Sequence, residues 1–404
     1  MASRLMSFFG LFVMLGLAWL LSNNKRKIDF RVILGGLSLQ FVLAASILKS
    51  RFGQKIFEYA KEGVTTVINL SDKGAVFLFG DNFSDHFFAF KVLPTIIFVS
   101  SLSYLLFYFG VMQKVVSGIA WLMEKTMNIS GSEGLVTAAN IFCGQTEAPL
   151  FVKPYLKTMT KAEIHTMMTG GMATAAGGVL AAYVGFGVSA GHLLAASLMS
   201  APAAIVISRI IYPELEASPT AGHVAVALDI PESNAFEAAC TGAADGLKLA
   251  LNVGAMLIAF IGLVALCNLG IGHVGAFVGV EGLSLEMILG KLFQPIAYFM
   301  GVPWDESFLI AQFLGEKMVL NEFIAYVHLM DHAQLGELSE RSVTIATYAL
   351  CGFANFSSIA IQIGGMGALE PSRKKDFAAC GFKAMLGGTL AAFSTACVAG
   401  ILIP

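Results

Sequence analysis

Residues 164 to 208 run for 45 positions without a Lys, Arg, Asp or Glu, and no other feature limits the possible folds as strongly. A helical crossing of a bilayer core needs about 20 apolar residues, so the run is long enough for two. Backbone amides and carbonyls in hydrocarbon must find partners inside the protein, and helices meet that demand within each segment. Composition extends the reading to the whole chain. Hydrophobic residues make up 56% and charged residues 13%, well below the roughly 25% charge of soluble domains. The chain reads as an all-α integral membrane protein, with lipid as its surroundings. Its formal net charge of −2 selects no partner, and no basic run is long enough to suggest nucleic acid.

Two crossings, Leu5 to Ser22 and Ile33 to Leu48, flank the turn Lys25-Arg26-Lys27, which the positive-inside rule places in the cytoplasm. The first has the length of a secretory leader, but Asn24-Lys25-Arg26-Lys27 follows it in place of a small-residue cleavage site, so it reads as a retained span. From Gln54 to Leu70 the residues Ile56, Phe57, Ala60, Val64, Val67 and Ile68 recur at helical spacing among charged neighbours, which predicts an amphipathic helix at the interface. Val92 to Met112 is a third span, and Gln113 to Met127 a second amphipathic stretch. The first crossing of the uncharged run contains Gly170-Gly171 and Gly177-Gly178, where it is expected to unwind. Pro213 to Glu237 is polar and holds three prolines, so it is expected to be an exposed linker. Leu249 to Leu269 is a clean span. Leu285 to Tyr326 reads as apolar arms around the turn Gly301-Val302-Pro303-Trp304, with Asn321-Glu322 in the later arm. Ser342 to Leu369 is a second broken span, and after Arg373-Lys374-Lys375 the last runs from Ala384 to Ile403.

Between Gly134 and Phe151 the only charged residue is Glu147. It lies in a polar knot, Asn140 to Pro149, between two apolar arms of about 10 residues, a length suited to a re-entrant hairpin. A carboxylate at membrane depth is costly and marks a site. The order of hairpin with Glu, broken span and apolar span then recurs. Glu147 precedes Gly171-Met172-Ala173-Thr174, and Glu322 precedes Gly352-Phe353-Ala354-Asn355, with Thr174 and Asn355 in one slot. Paired broken segments in two halves point to a transporter site at the repeat interface. The expected architecture is about eight transmembrane helices plus two re-entrant hairpins, interfacial amphipathic helices and an internal inverted repeat with two broken helices.

The polar side chains inside these segments are Asn140, Gln145, Thr146, Glu147, Thr174, Asn321, Glu322, Asn355, Ser357 and Ser358. None is Lys or Arg, the usual partners of phosphates and carboxylates, so the set favours a neutral solute rich in hydrogen-bonding groups. Asn140, Thr174 and the carbonyls freed near Cys143 and Ala175 offer oxygens of the kind that hold a hard cation such as sodium. The six cysteines have no ligand spacing and read as packing residues, and the seven histidines, including His86, His223, His328 and His332, show no HExxH. No GxxxxGK[ST] or GxSxG motif occurs, which supports neither an ATP-driven pump nor a serine hydrolase. Two buried glutamates could also serve an intramembrane enzyme as acid and base, but nothing else resembles a catalytic constellation. A passive channel is a further reading, and would not accumulate its solute.

Four segments carry a family resemblance. Gly144-Gln145-Thr146-Glu147-Ala148-Pro149, Leu251-Asn252-Val253-Gly254-Ala255-Met256-Leu257, Asn321-Glu322-Phe323 and Cys351-Gly352-Phe353-Ala354-Asn355-Phe356-Ser357-Ser358-Ile359 together resemble the concentrative nucleoside transporters, bacterial branch. The resemblance implies a non-enzymatic symporter in the bacterial cytoplasmic membrane, a homotrimer that takes up uridine-like or adenosine-like nucleosides by alternating access. Sodium is the implied coupling ion, with no organic cofactor. Proton-coupled symport, with Glu147 or Glu322 titrating, is the alternative. Gln145, Thr146 and Glu147 look like the nucleobase set with Val179 packed against it, and Glu322, Asn355 and Ser358 like the ribose set. Asn140, Cys143, Thr174 and Ala175 match the sodium site, although serine is familiar where Thr174 stands and an aliphatic residue where Cys143 stands. The chain is then one domain, 1–404, with a scaffold mainly of 1–50, 87–112 and 240–270 and a transport part mainly of 52–86, 113–213 and 283–404.

Overall fold

The structure, a computed structural model, describes residues 2–82, 88–222 and 232–404. His86, His223 and residues 223–231 of the expected linker lie outside the described residues, as do the side chains of Ile56, Phe57, Ala60 and Lys61 on the first amphipathic stretch. Among the described residues seven helices are long and apolar enough to cross a membrane. One of the seven, 161–185, is broken in its middle, and 340–369 forms a further broken crossing.

Helices α1 (Ala2–Leu20) and α2 (Phe30–Lys49) are the first two crossings. The amphipathic helix α3 (Arg51–Phe79) runs past its expected end at Leu70, because its polar tail has partners. Ser71 shares a 2.9 Å hydroxyl contact with Thr95, and Asp72 pairs with Lys91 at 3.5 Å. Thr95 lies in α4 (Leu93–Tyr108), and α5 (Val111–Met127) then buries Val116, Ala120, Met123 and Met127.

The first hairpin has arms α6 (Gly131–Asn140) and a tight 3-10 helix, Ala148–Tyr155. Pro149 and Pro154 each remove an amide donor, so the returning arm cannot close the usual i to i−4 ladder. The chain next forms α7 (Lys161–Ala173), breaks at Thr174 to Ala176, and continues as α8 (Gly177–Gly185) and α9 (Ala190–Ile211). The break falls between the two glycine pairs. Gly170 and Gly171 stay helical because they pack: a Cβ on Gly171 would stand 2.8 Å from Gln362 Nε2 and 3.0 Å from Gln145 Cβ.

A buried ion pair anchors the base of this hairpin, with Arg209 Nη2 2.5 Å from Glu133 Oε2. Arg209 Nη1 also lies 3.5 Å from Glu214 Oε2, so the guanidinium is shared between two carboxylates. Glu133 and Glu163 also close capping boxes with Ser130 and Thr160. The start of the expected linker is drawn into the network. Ser218 and Thr220 hydroxyls donate to Glu163 Oε1 at 2.5 Å each, and Thr220 is buried. A buried carboxylate needs donors, and Ser218 and Thr220 supply them, so these two residues are drawn inward while Leu215, Glu216, Ala217 and Pro219 stay exposed as expected.

Helix α10 (Ala235–Phe277) has 43 residues and extends well beyond the Leu249 to Leu269 span. It lies against α4 through Gly242 and Gly246, where a Cβ would come within 2.8 Å of Ser101 Cα and Ile97 Cα, a small-residue contact typical of membrane helices. Leu251, Ile258 and Leu266 on other faces are exposed.

Helix α11 (Leu285–Phe299) turns at Gly301 into α12 (Trp304–Val319). The tip of the second hairpin is not at that turn but at Leu320-Asn321, ahead of α13 (Glu322–Gln334). Glu322 is therefore the first residue after the tip rather than one within an arm. His328 and His332 fall on this helix, with His328 2.9 Å from Glu316. The second broken crossing is α14 (Glu340–Leu350) and α15 (Phe356–Leu369), followed by α16 (Lys374–Leu402).

The two hairpins start from opposite ends of the molecule. Arg373 donates to the carbonyls of Leu156, Lys157 and Met159 at the base of the first hairpin. Lys383, on α16 just after it, reaches Leu21 O and Asn23 beside the Lys25 to Lys27 turn. At the other end Arg4 donates to Ile403 O, and Arg341 to Gly301 O and Gly400 O. Both chain ends thus share one side, and the two basic turns share the other. The helix breaks meet in the middle: a Cβ on Gly352, which has a φ of +113°, would fall 2.6 Å from Ala173 C.

Candidate functional site

A line of hydrogen bonds connects the two hairpin tips. Gln145 Nε2 donates to Ser358 Oγ at 3.0 Å, and Gln145 Oε1 accepts from Gln362 Nε2 at 3.0 Å. Gln362 also donates to the Met168 carbonyl at 3.1 Å. Ser358 N donates to Asn355 Oδ1 at 2.9 Å, the cap of α15. Asn355 Nδ2 in turn donates to Glu322 Oε2 at 3.2 Å, and Tyr183 OH to Glu322 Oε1 at 2.8 Å. The Glu322 carboxylate is buried in the first turn of α13, where the helix dipole favours negative charge. Four expected site residues, Gln145, Glu322, Asn355 and Ser358, are thus brought into one network.

Thr146 and Glu147 face elsewhere. Thr146 Oγ1 donates to Glu147 Oε1 at 3.0 Å, and Glu147 is exposed to a cavity of ≈ 310 Å³ between the first tip and helices α4 and α10. Tyr104, Asp245, Lys248 and Asn252 form its far wall, with Tyr104 OH 2.6 Å and Lys248 Nζ 2.8 Å from the Asp245 carboxylate. Gly144 makes this placement possible, since a Cβ there would lie 2.1 Å from Glu147 Oε2. Val179 is buried in the first turn of α8.

Around the first break, Asn140, Cys143, Thr174 and Ala175 are all buried. Thr174 Oγ1 donates to Gly170 O at 2.9 Å. The tip and the break are stitched together, with Gly177 N donating to Phe142 O at 3.0 Å and Phe353 N to Thr174 O at 3.3 Å. Asn140 Nδ2 and Thr137 Oγ1 face Gly170, and with Asn140 Oδ1 they have no hydrogen-bond partner among the described residues. Buried orphans of this kind call for an explanation.

Other expected polar residues play local parts. Asn321 caps α13 by accepting from Ile324 N at 3.2 Å, and Ser357 donates to Asn355 Oδ1 at 2.7 Å. The Thr174 and Asn355 slot does not survive. Thr174 ends the first half of its broken helix, whereas Asn355 begins the second half of the other. Four site residues escaped the sequence reading: Thr137, Tyr183, Gln362 and Lys317. Lys317 is fully buried, with Nζ 3.0 Å from Ala349 O, so a cation does belong to the apolar interior. All six cysteines are free, and among the described residues no group of three or more His, Cys, Asp or Glu is placed to hold a metal.

Comparison with known proteins gives this geometry a context. Three family models match: Na+ dependent nucleoside transporter N-terminus over residues 9–82, Nucleoside recognition over 89–190, and Na+ dependent nucleoside transporter C-terminus over 192–400. The chain is 43% identical to "Solute carrier family 28 member 3" of Eptatretus stoutii, over 99% of its own length and 61% of the relative's. It is 41% identical to "Sodium/nucleoside cotransporter 1" of Mus musculus, over 99% and 64%. It thus spans less than two thirds of the length of these curated relatives. The structure of CNTnw in an inward-facing substrate-bound state is similar at 38% identity and a TM-score of 0.93, covering 99% of this chain and 98% of that one. A CNTnw variant in an outward-facing state matches at a TM-score of 0.94. On these matches the chain belongs to the Na+ dependent nucleoside transporter family, the concentrative transporters that its motifs resemble.

Proposed function

We propose that this protein is a sodium-coupled symporter that takes up nucleosides by alternating access. The observation that carries the reading is the continuous hydrogen-bond line from Gln145 through Ser358 and Asn355 to Glu322 and Tyr183. Such a line offers donors and acceptors to a neutral solute, which exchanges its own polar groups for the ones already paired. Glu322 accepts two ribose hydroxyls with Asn355 and Ser358 beside it, since a carboxylate is acceptor-only. Gln145, Thr146 and Glu147 meet the base, and Val179 packs against it. Lys317 is committed to a carbonyl, so its presence does not turn the site toward anions.

The orphaned oxygens of Thr137 and Asn140 suit a hard cation. Asn140 and Thr174 side chains with the Cys143 and Ala175 carbonyls would hold sodium, which when bound supplies positive charge beside the tip that carries Glu147. Affinities of ion and nucleoside then rise together, as linkage requires.

In the same reading helices α1, α2, α4 and α10 are the scaffold, against which the hairpins and broken helices move. The exposed apolar faces of α10 fit lipid or neighbouring copies in a homotrimer. The membrane is the bacterial cytoplasmic membrane, with the basic turns at Lys25 and Arg373 inside. Uptake by purified protein in proteoliposomes, with sodium and proton gradients imposed separately and a panel of nucleosides as competitors, tests the proposal. Accumulation of uridine or adenosine on the sodium gradient is expected. Accumulation on a proton gradient alone would sink the ion assignment, and equilibration without accumulation would make the protein a channel.

A further inference from the structure

We propose that the base of the first hairpin and the start of α16 form a docking surface for the phosphate headgroups of anionic phospholipids. Such docking needs only the membrane setting of the chain and the shared side of its basic turns, so it stands or falls apart from the sodium assignment.

Two stretches of chain, 153–161 and 373–375, bring six basic residues to one face. Lys153 lies on the returning arm of the hairpin, Lys157 just beyond it, and Lys161 opens α7. Arg373 ends a short 3-10 helix, Pro371–Arg373, and Lys374 and Lys375 open α16. All five lysines are exposed. Arg373 holds the two stretches at a fixed spacing, since its guanidinium donates to the carbonyls of Leu156, Lys157 and Met159 at 2.8 to 3.2 Å. The acidic residues in and beside these stretches are already engaged. Glu163 is buried under the Ser218 and Thr220 hydroxyls, and Asp376 pairs with Lys161 at 3.7 Å and Arg373 at 2.7 Å. Glu370 accepts from the amide and hydroxyl of Ser372. The face therefore carries a clear excess of positive charge.

The start of α16 adds a second attraction for an anion. A helix N-terminus has unpaired amides and the positive end of the dipole, and acidic residues are favoured there. The start of α7 is closed by its capping box, whereas α16 has no side-chain cap, and its first two residues are lysines. Positive side chains thus stand against a positive helix end. A bound phosphate offsets both, with amides and ammonium groups as its donors.

Position supplies the partner. Lys383, further along α16, donates to Leu21 O just past the end of α1. There Trp19 is exposed, with Lys25 Nζ 5.0 Å from the centre of its ring, and tryptophan at the end of a crossing marks the membrane interface. At 1.5 Å per residue, Lys374 and Lys375 stand about 12 to 14 Å beyond Lys383 along the helix, at the level of the headgroups and just past them. Basic clusters immediately beside a crossing attract anionic lipid, and the attraction fades within a Debye length. The leaflet itself therefore presents phosphates at high local concentration to this face.

Thermal unfolding of the detergent-solubilised protein tests the surface with three probes: short-chain phosphatidylglycerol, short-chain phosphatidylcholine and inorganic phosphate. Phosphatidylglycerol should raise the unfolding temperature at concentrations where the other two do not. Each basic side chain near an anionic surface contributes a factor of about five in affinity. Lys153→Gln, Lys157→Gln, Lys374→Gln and Lys375→Gln combined should therefore weaken phosphatidylglycerol at least about tenfold. Lys161 and Arg373 are left in place because they hold the face together. Raising the ionic strength from about 0.1 M to about 1 M shortens the Debye length from about 10 Å to about 3 Å, and should remove the shift in the natural protein. That measurement decides alone if the combined variant does not fold. No shift with phosphatidylglycerol, or an equal shift with phosphatidylcholine, would overturn the proposal. An equal shift with inorganic phosphate would overturn lipid as the source, and natural affinity in the combined variant would place the lipid elsewhere.

Discussion

In the first half of the molecule a hairpin ending at Asn140 meets a half-helix, and the polar atoms between them are buried without partners. In the second half the first arm of the hairpin carries Lys317 in its final turn, and Lys317, Glu322 and Asn355 are all bonded. The element order is the same, yet one half is incomplete by itself and the other is closed by its own side chains. An inverted repeat can therefore conserve architecture while dividing chemistry. The open half is suited to an exchangeable ion, and the closed half to a fixed carboxylate that receives a solute's hydroxyls. Gly352 is where the halves touch.

The largest effect is expected at that contact. In Gly352→Ala the new Cβ would lie 2.6 to 2.7 Å from Ala173 C, Ala173 O and Met172 O, all backbone, at a φ of +113°. Left-handed strain and overpacking each cost about 1–3 kcal/mol, and neither neighbour can rotate away. Thermal unfolding of the detergent-solubilised protein should show a loss of about 2–6 kcal/mol or no folded protein. Gly178→Ala is the control, because its Cβ would meet nothing closer than 3.7 Å. Equal melting temperatures for the two variants would mean that the breaks do not abut.

Next is the closed half. Glu322→Gln removes a charge that accepts from Tyr183 and Asn355, and sets an amide donor against donors. Hydrogen bonds to charged groups contribute about 1.5–3 kcal/mol, so uridine affinity should fall about 10- to 100-fold. Uptake in vesicles over a range of uridine concentrations reads this directly. Unchanged uptake would remove Glu322 from the site.

The open half should respond through the ion. Asn140→Ala deletes two of the orphaned atoms, the ligand proposed for sodium, so sodium-induced stabilisation should disappear. At ten times the dissociation constant that stabilisation is about 1.4 kcal/mol, a measurable shift in unfolding temperature. A sodium shift of natural size in Asn140→Ala would place the ion elsewhere.

Much of this contrast was legible in the sequence, and the gaps have physical causes. A lone Glu147 or Glu322 in an apolar run stands out because charge at membrane depth needs a reason. The first tip was easy to place between Gly144 and Pro149. The second was displaced toward Gly301-Val302-Pro303-Trp304, because Gly and Pro signal a turn, while the actual reversal at Leu320-Asn321 has neither. Tyr183 and Gln362 look like ordinary members of uncharged helices, and only the packing of α8 and α15 aims them at Glu322 and Gln145. Lys317 follows Glu316 in the sequence with nothing to mark it as buried, and only the end of α14 gives its ammonium an acceptor, Ala349 O. The tetrapeptide match misleads for a related reason: sequence similarity sets Thr174 beside Asn355, but the first helix breaks at Thr174, the last residue of the match, and the second at Cys351, one residue ahead of it.

Thr174 carries the smallest and most discriminating expectation. Its hydroxyl donates to Gly170 O at 2.9 Å, and the hydroxyl rather than the methyl would reach the ion. Thr174→Ser keeps the hydroxyl and leaves room for only a methyl to be lost, so sodium affinity should change by less than about twofold, within about 0.4 kcal/mol. Thr174→Val keeps the shape and removes the oxygen, leaving Gly170 O without that donor at a cost of about 1–3 kcal/mol. The sodium dependence of thermal unfolding, compared across the two variants, separates oxygen from shape. If Ser and Val behave alike, the Thr174 side chain holds the break by packing, and the open half would owe its ion to Asn140 and backbone carbonyls.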